Sequence, residues 1–248
     1  MKLLNPSLAL CAAIFFTAAV APAQKRTAPT KGTTPPARVK PTPRPTPTPT
    51  PAQMPAPTPQ STPAAEPFDG ASEQRMAAQC VRLETEAGTI EMKMLPDGAP
   101  ETVRNFLNLA AAGAFDTTTF SRVVRGFVIQ GGNLSTREKL TPALAERARR
   151  TVRDEPNAIR HTRGVVSMAR SDRPHSATTN FFILVGTASH LDNKFAAFGR
   201  VTKGMDVVDA INKAALEGET PLTPVRVGSA AVFACAPDTA PATPAQEN

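Results

Sequence analysis

Short apolar runs separated by turn residues fill the C-terminal two-thirds of the chain. Residues 80–95 alternate apolar and polar side chains on both sides of an Ala-Gly pair, which predicts two antiparallel strands joined by a turn. Residues 120–133, FSRVVRGFVIQGGN, repeat this pattern around an Arg-Gly turn, but each arm carries one polar side chain, Arg122 or Gln130, that a buried strand does not need. Further strand-type runs occupy residues 164–169, 180–186, 195–201 and 225–235.

Two segments have the apolar period of amphipathic helices. One begins at Pro100, which suits the first helical turn, and ends before Gly113, which suits a C-terminal cap. The other occupies residues 205–215, and residues 134–150 predict a loop with at least one helical turn. Several short strands, two helices and Gly-rich turns favour one mainly β domain, either an antiparallel barrel closed by helices or a sandwich.

The N-terminal third has a different composition. Residues 1–23 are typical of a secretory signal peptide, because Lys2 precedes an apolar run of about 13 residues and a small-x-small site, Ala21-Pro22-Ala23, follows. That run is too short to span a bilayer, which needs ~20 residues, so we expect its removal and not an anchor.

Residues 24–67 are rich in Pro, Thr and Ala. Proline removes backbone donors that helices and sheets need, so the segment predicts a disordered, extended polyproline II tether. The predicted organisation is a signal peptide (1–23), a tether (24–67), a connecting segment (68–79), a folded domain (80–236) and a disordered tail (237–248).

The formal net charge of +7 is concentrated outside the predicted domain. The tether contains six basic residues against Glu66, a net +5, whereas residues 68–248 contain 21 basic and 20 acidic residues, a net +1. Because the domain is nearly neutral, we expect no nucleic-acid partner. The basic tether is either a passive spacer or a contact with an anionic cell wall or envelope.

Two cysteines, Cys80 and Cys235, remain after the signal, one near each end of the predicted domain. An even cysteine pair in an exported chain favours a disulfide, and two buried free thiols are the alternative. If the terminal strands are neighbours, the bridge would close nearly the whole domain and contribute roughly 4–5 kcal/mol on the chain-entropy model.

Motifs for covalent and metal chemistry are absent from the sequence. It has no GxSxG elbow, no GxxxxGK[ST] phosphate loop, no dinucleotide fingerprint and no HExxH helix. The three histidines, His161, His175 and His190, lack metal-ligand spacing, and we predict neither a metal nor a cofactor. Rotation about an Xaa-Pro bond needs no nucleophile, since an apolar pocket and a fixed cation at the prolyl nitrogen can lower its barrier of ~18–20 kcal/mol.

Four motifs resemble the cyclophilin family. FSRVVRGFVIQGGN resembles its signature, TVRNFLNLAAAG its first helix, RGVVSMARSDRPHSATTNFFILV a strand and loop of bacterial members, and HLDNKFAAFGRVTKGMDVVD their closing segment. Together they cover about residues 80–235. The resemblance implies a closed antiparallel eight-stranded barrel capped by two α-helices, and peptidyl-prolyl cis-trans isomerase activity without a cofactor. The implied partners are Xaa-Pro-containing unfolded or exported polypeptides, and we expect a monomer.

The resemblance also implies roles for individual residues. Arg122 matches the catalytic arginine that faces the prolyl nitrogen, and Gln130 matches the glutamine that binds the substrate backbone and helps to hold that arginine. Ala169 and Arg170 match the strand edge where the peptide pairs. The remaining implied substrate contacts are Phe127, Val128, Asn180, Phe182, His190, Leu191 and Phe195.

Four of these contacts differ from the best-known family pattern. Val128 stands where methionine is usual, Asn180 replaces a glutamine, His190 replaces a larger aromatic that is often tryptophan, and Phe195 replaces the histidine of many eukaryotic members. The missing tryptophan implies weak binding of cyclosporin.

We therefore expect an exported isomerase, periplasmic or secreted. The alternative is a catalytically weak proline-peptide-binding chaperone or scaffold tethered to the envelope, which the changes at Val128 and Asn180 motivate. Retention of Arg122 and Gln130 favours the enzyme, since binding alone does not require a cation at the nitrogen. A third class is a basic structural protein held to the wall or to lipid by its tether.

Overall fold

The computed structural model describes residues 65–236. The predicted signal peptide, the predicted tether up to residue 64 and the predicted tail lie outside the described residues. The α-helices are α1 (Glu73–Ala77), α2 (Pro100–Ala111), α3 (Pro142–Arg147) and α4 (Met205–Asn212). The strands are β1 (Gln79–Thr85), β2 (Gly88–Met94), β3 (Arg122–Val124), β4 (Val128–Gly131), β5 (Val165–Met168), β6 (Phe181–Leu184), β7 (Ala197–Lys203), β8 (Leu216–Glu217), β9 (Thr220–Pro221) and β10 (Val227–Ala234).

Eight strands form one antiparallel sheet, as the family resemblance implied. Their order is β10-β1-β2-β7-β5-β6-β4-β3, so β10 and β3 are the edges, while β8 and β9 pair separately. The sheet is strongly curled. Thr119, which precedes β3, and Arg226, which precedes β10, form an antiparallel bridge between its two edges. Beside it, the N–H of Phe120 donates to the carbonyl of Val225 (3.0 Å). The edges are thus joined through this short contact, and not through a continuous ladder between β3 and β10.

Phenylalanines organise the core, because the sequence contains no Trp or Tyr. The ring centroid of Phe106 on α2 lies 5.0 Å from that of Phe115, 5.2 Å from that of Phe181 and 4.9 Å from that of Phe198. Tilted and edge-to-face contacts at these distances are the favourable arrangements of aromatic rings. Helix α2 therefore closes one end of the curled sheet through its apolar face.

The two predicted helices, α2 and α4, are confirmed, and the short helix α3 is the helical turn predicted within residues 134–150. The short helix α1 was not predicted. The Ser72 hydroxyl accepts a hydrogen bond from the N–H of Arg75, and the Thr141 hydroxyl accepts one from Leu144. Such caps stabilise helices that are too short to show an apolar period in the sequence. Among residues 65–236, no helix is both long and apolar enough to cross a membrane.

The segment before β1, predicted only as a connection, packs onto the domain. Phe68 is buried, and its N–H donates to Oδ1 of Asn108 on α2 (2.8 Å). Nη1 of Arg104 donates to the carbonyls of Phe68 (2.9 Å) and Ala71 (2.8 Å). Buried apolar surface and satisfied carbonyls together make this segment part of the folded unit.

Cys80 and Cys235 form the predicted disulfide, with a Cα–Cα distance of 5.1 Å. Strands β1 and β10 are antiparallel neighbours, so the beginning of one lies beside the end of the other. The N–H of Cys235 donates to the carbonyl of Ala78 (2.9 Å), which continues the pairing to the bridge itself.

Candidate active site

The β3–β4 hairpin presents Arg122 and Gln130 side by side. They are direct partners in the antiparallel register, so their side chains leave the same face of the sheet. Nη1 of Arg122 donates a hydrogen bond to Oε1 of Gln130 (3.3 Å). Between the strands, Gly126 adopts a φ of 69°, which favours glycine, and the N–H of Phe127 closes the turn on the carbonyl of Val124 (3.0 Å).

Strands β4 and β6 are covered on both faces. Phe181 and Ile183 pack in the main core, whereas Phe182 and Leu184 belong to a second apolar cluster. A strand covered on both faces has no reason to alternate apolar and polar residues, which explains the continuous run NFFILVG. Phe182 is the register partner of Gln130, so this second cluster lies on the face that carries the Arg122–Gln130 pair.

An open cavity of about 160 Å³ lies beside this pair. Its walls are mainly apolar, with Arg122, Gln130 and Arg170 as the polar members. Nine of the eleven residues that the sequence predicted for substrate contact and catalysis line it: Arg122, Phe127, Val128, Gln130, Ala169, Arg170, Phe182, Leu191 and Phe195.

Aromatic rings and a second cation shape one wall of the cavity. The ring of Phe195 meets that of Phe182 edge-on, with centroids 6.0 Å apart. The guanidinium carbon of Arg170 lies 5.1 Å from the Phe195 centroid, within the range of a cation–π contact. Both charged residues of the cavity wall, Arg122 and Arg170, are therefore cations set against apolar surface.

A wider groove beside α2 has a different character. Its volume is about 410 Å³, and charged side chains line much of it. Arg104 pairs there with Glu101, and Arg147 and Arg150 pair with Glu66. The groove is lined mainly by charged and polar side chains, so the apolar cavity beside Arg122 is the better candidate for a site that holds a proline ring. In residues 65–236, no three His, Cys, Asp or Glu side chains are grouped as metal ligands.

Comparison with known proteins agrees with this geometry. Residues 80–232 match the family described as cyclophilin type peptidyl-prolyl cis-trans isomerase. The chain belongs to the cyclophilin family. Its enzyme class is therefore peptidyl-prolyl cis-trans isomerase, and the family match extends from within β1 to within β10.

Bacterial cyclophilins are among the relatives. The chain is 36% identical over 166 residues to peptidyl-prolyl cis-trans isomerase A of Dickeya dadantii (strain 3937). The aligned region covers 62% of this chain and 84% of that relative. It is 37% identical over 167 residues to a peptidyl-prolyl cis-trans isomerase of Streptomyces antibioticus, with 62% and 98% covered.

Solved cyclophilin structures share the fold. A cyclophilin-type isomerase of Cryptosporidium parvum, crystallised in the presence of the dipeptide Ala-Pro, superposes with a TM-score of 0.55 at 23% identity, over 63% of this chain and 99% of that one. A cyclophilin of Hirschia baltica superposes with a TM-score of 0.53 at 23% identity, over 63% and 74%.

Two predicted site residues do not line the cavity of this cyclophilin. Asn180 lies just before β6, where its carbonyl accepts a hydrogen bond from the N–H of Ala169 (3.0 Å). His190 is exposed, and its ring centroid lies 5.5 Å from that of Phe127. Each residue is therefore a neighbour of a cavity wall, Ala169 in one case and Phe127 in the other.

Two polar residues that hold the hairpin of this cyclophilin were not among the predicted site residues. Nδ2 of buried Asn212 donates to the carbonyls of Val124 (2.9 Å) and Val128 (3.2 Å), and its Oδ1 accepts from the N–H of Gly126 (2.9 Å). Oε2 of Glu219 accepts from Nε of Arg122 (2.7 Å). A buried asparagine at the end of the apolar face of α4 was a weak signal for the first. Nothing in the sequence pointed to the second.

A buried histidine network supports another wall of the cavity. The ring of His161 is fully buried, with Nδ1 3.1 Å from Oδ1 of Asp192 and Nε2 3.1 Å from the Ser167 hydroxyl. Nδ1 of a neutral imidazole donates to Asp192, and Nε2 then competes with the carbonyl of Ala196, 2.9 Å from the Ser167 hydroxyl, for the single proton of that hydroxyl. Asp192 directly follows Leu191, so the network helps to fix the position of that cavity residue.

Burial lowers the pKa of His161, although its hydrogen bond to Asp192 opposes the change. The unfolded chain, with an ordinary histidine pKa of 6.5, then binds the proton first as the pH falls. We expect this group to leave the free energy of unfolding constant above pH 6.5. Below pH 6.5 the free energy of unfolding should decrease, until the pH reaches the lower pKa of His161 in the folded state. The pKa of Asp192 is also lowered, mainly by the backbone N–H of His161, so its contribution is lost at still lower pH.

Urea unfolding between about pH 8 and pH 5 measures this dependence. His161→Gln should flatten the decrease below about pH 6.5, because the titrating imidazole is gone. His175→Gln is the matched control, since His175 is exposed. Equal pH slopes in wild type and His161→Gln would contradict the assignment.

Proposed function

We propose that this cyclophilin accelerates rotation about Xaa-Pro bonds of exported polypeptides at the cavity beside Arg122. One observation carries the proposal. A guanidinium hydrogen-bonded to Gln130 lines a cavity whose remaining walls are mostly apolar. These are the two parts that prolyl isomerisation requires, a place for the pyrrolidine ring and a donor at the prolyl nitrogen.

The chemistry follows from amide resonance. In both planar forms the nitrogen lone pair is delocalised into the carbonyl, and rotation localises it on a pyramidal nitrogen. A guanidinium N–H of Arg122 then donates to that lone pair, which is a poor acceptor in the planar amide. The interaction is stronger in the transition state than in either ground state, so it raises kcat, by tenfold for about 1.4 kcal/mol. Because a guanidinium keeps its charge and is weakly hydrated, it suits a site against apolar walls.

The other wall residues bind and orient the peptide. Phe127, Phe182 and Leu191 hold the pyrrolidine ring, and Gln130 binds the substrate backbone next to Arg122. The edge at Ala169 and Arg170 pairs with the peptide in an extended conformation. Removal of the ring from water gives affinity in proportion to the apolar area covered, at about 25 cal/mol per Å².

Turnover tests this function. Exchange NMR on an Ala-Pro peptide should show faster cis-trans interconversion at catalytic amounts of protein. Ala-Pro is a suitable probe because the Cryptosporidium parvum relative was crystallised in the presence of that dipeptide. Peptide binding without acceleration would instead support the tethered binding module.

Export is part of the proposal. It is supported by the signal-like residues 1–23 and by the Cys80–Cys235 disulfide, a bond typical of oxidising compartments. We expect the protein recovered from the periplasm or medium of an expressing bacterium to begin at Gln24, as intact mass spectrometry would show. Recovery of a chain that still begins at Met1, in the cytoplasm alone, would contradict export. Envelope contact through the tether and a monomeric state stay predictions of the sequence.

A further inference from the structure

The small β8–β9 hairpin lies against the edge strand that carries Arg122. The carbonyl of Glu219 accepts a hydrogen bond from the N–H of Val123 (2.8 Å), which ties the turn of this hairpin to β3. From the same residue, Oε2 accepts a hydrogen bond from Nε of Arg122 (2.7 Å). Glu219 therefore contacts the site through its backbone and its carboxylate at once.

The guanidinium of Arg122 is held at two of its three nitrogens. Nε donates to Glu219 and Nη1 donates to Gln130, while Nη2 has no hydrogen-bond partner among residues 65–236. Arg122 also lines the apolar cavity. A free arginine side chain samples many rotamers, and fixing it can cost up to about 2 kcal/mol of conformational entropy. Two anchors reduce that cost before substrate binds, and they leave one nitrogen available.

We propose that Glu219 is a positioning residue for the isomerase reaction, which holds the Arg122 guanidinium so that its unpaired nitrogen serves the prolyl nitrogen. This inference rests on the proposed function of Arg122. It adds a carboxylate to the pair that the family signature contains. The hairpin β8–β9 thereby holds that carboxylate next to Arg122.

The exposure of this ion pair favours a role in positioning over a role in stability. About half of each side chain is exposed, 43% for Arg122 and 55% for Glu219. Exposed ion pairs contribute little to the free energy of unfolding, because water screens the charges. The backbone hydrogen bond to Val123 does not depend on the side chain, so substitutions of Glu219 should leave the hairpin folded.

Glu219→Gln is the sharpest test, since glutamine keeps the size and one acceptor oxygen but loses the charge. We expect kcat for an Ala-Pro peptide to fall about threefold to fivefold with KM unchanged, because the guanidinium acts in the transition state. Glu219→Ala should lower kcat further. Glu217→Gln is the matched control, as Glu217 is exposed on β8, the first strand of the same hairpin, and it should retain wild-type kcat.

A double-mutant cycle separates positioning from a structural effect. In an Arg122→Ala background, assayed at high enzyme concentration, Glu219→Gln should change nothing further, because its only route to the substrate is gone. The inference is overturned if Glu219→Gln keeps wild-type kcat, if it lowers kcat by the same factor in both backgrounds, or if Glu217→Gln has an equal effect. If residual activity in the Arg122→Ala background is too low to compare, the single variants decide. A lower kcat with unchanged KM in Glu219→Gln, and wild-type kcat in Glu217→Gln, would support the inference.

The same data distinguish failure of the inference from failure of the proposed function. Full activity of Arg122→Ala would contradict the role of the arginine and with it any role of its partner. A strong loss in Arg122→Ala, together with wild-type kcat in Glu219→Gln, would contradict the role of Glu219 alone.

Discussion

Arg122→Ala is expected to lower kcat/KM for an Ala-Pro peptide by about 100-fold or more, as removal of one preorganised donor to developing charge commonly does. The physical reason is that the other cation of the cavity wall, Arg170, lies against the Phe195 ring, and Gln130 carries no charge. Gln130 would lose its partner but keep its position on β4, because the register of β3 and β4 is set by the backbone. Exchange NMR on the peptide, with the wild type as reference, measures the loss.

Arg149→Ala is the matched control for this prediction. Arg149 is well exposed, and its ion pair is with Glu146, a residue outside the cavity wall, so the substitution removes the same charge at another place. It should retain wild-type kcat/KM. If Arg122→Ala also remained within about threefold of the wild type, the arginine would have no role at the nitrogen, and shape alone would have to account for catalysis.

The second large effect is expected for the disulfide. Replacing Cys80 and Cys235 by serine should lower the free energy of unfolding by about 4–5 kcal/mol on the chain-entropy model, because the bond closes a loop with a sequence separation of 155. Small domains have a total stability of about 5–15 kcal/mol, so this loss is a large fraction. Cys80 is buried, and a serine hydroxyl placed there adds a further cost when it lacks a partner.

Urea unfolding of the oxidised wild type, the reduced wild type and the double serine variant measures this effect. Both the reduced wild type and the variant should unfold at lower urea than the oxidised protein, and the variant at the lowest, because of the buried hydroxyl at position 80. Their isomerase activity in the folded state should equal that of the wild type, since neither cysteine lines the cavity beside Arg122. A difference below about 1 kcal/mol between oxidised and reduced protein would mean that β1 and β10 hold the chain ends together without the bond.

The strands and the long helices were predictable because their signals are local. Alternation in β1 and β2, the Arg-Gly turn between β3 and β4, and the apolar face of α2 are each contained in fewer than about 20 residues. The family motifs also predicted most of the site. They named nine of the residues that line the cavity, and Arg122 and Gln130 among them are direct strand partners. Asn180 and His190 were predicted with the rest but do not line the cavity: the carbonyl of Asn180 accepts a hydrogen bond from Ala169, and the ring of His190 lies beside that of Phe127.

What the sequence by itself determined is therefore the set of elements, the family and the two polar residues of the hairpin. What only the tertiary structure decided is which distant groups meet them. Glu219 is 97 positions away from Arg122 in sequence, and Asn212 is 88 from Val124 and 84 from Val128, the two ends of the turn that it holds. A contact between distant residues depends on how the sheet curls and where its edges close, and no local periodicity encodes that. The same reason applies to residues 66–78, whose packing on α2 arises only once Phe68 finds the surface that the folded domain presents.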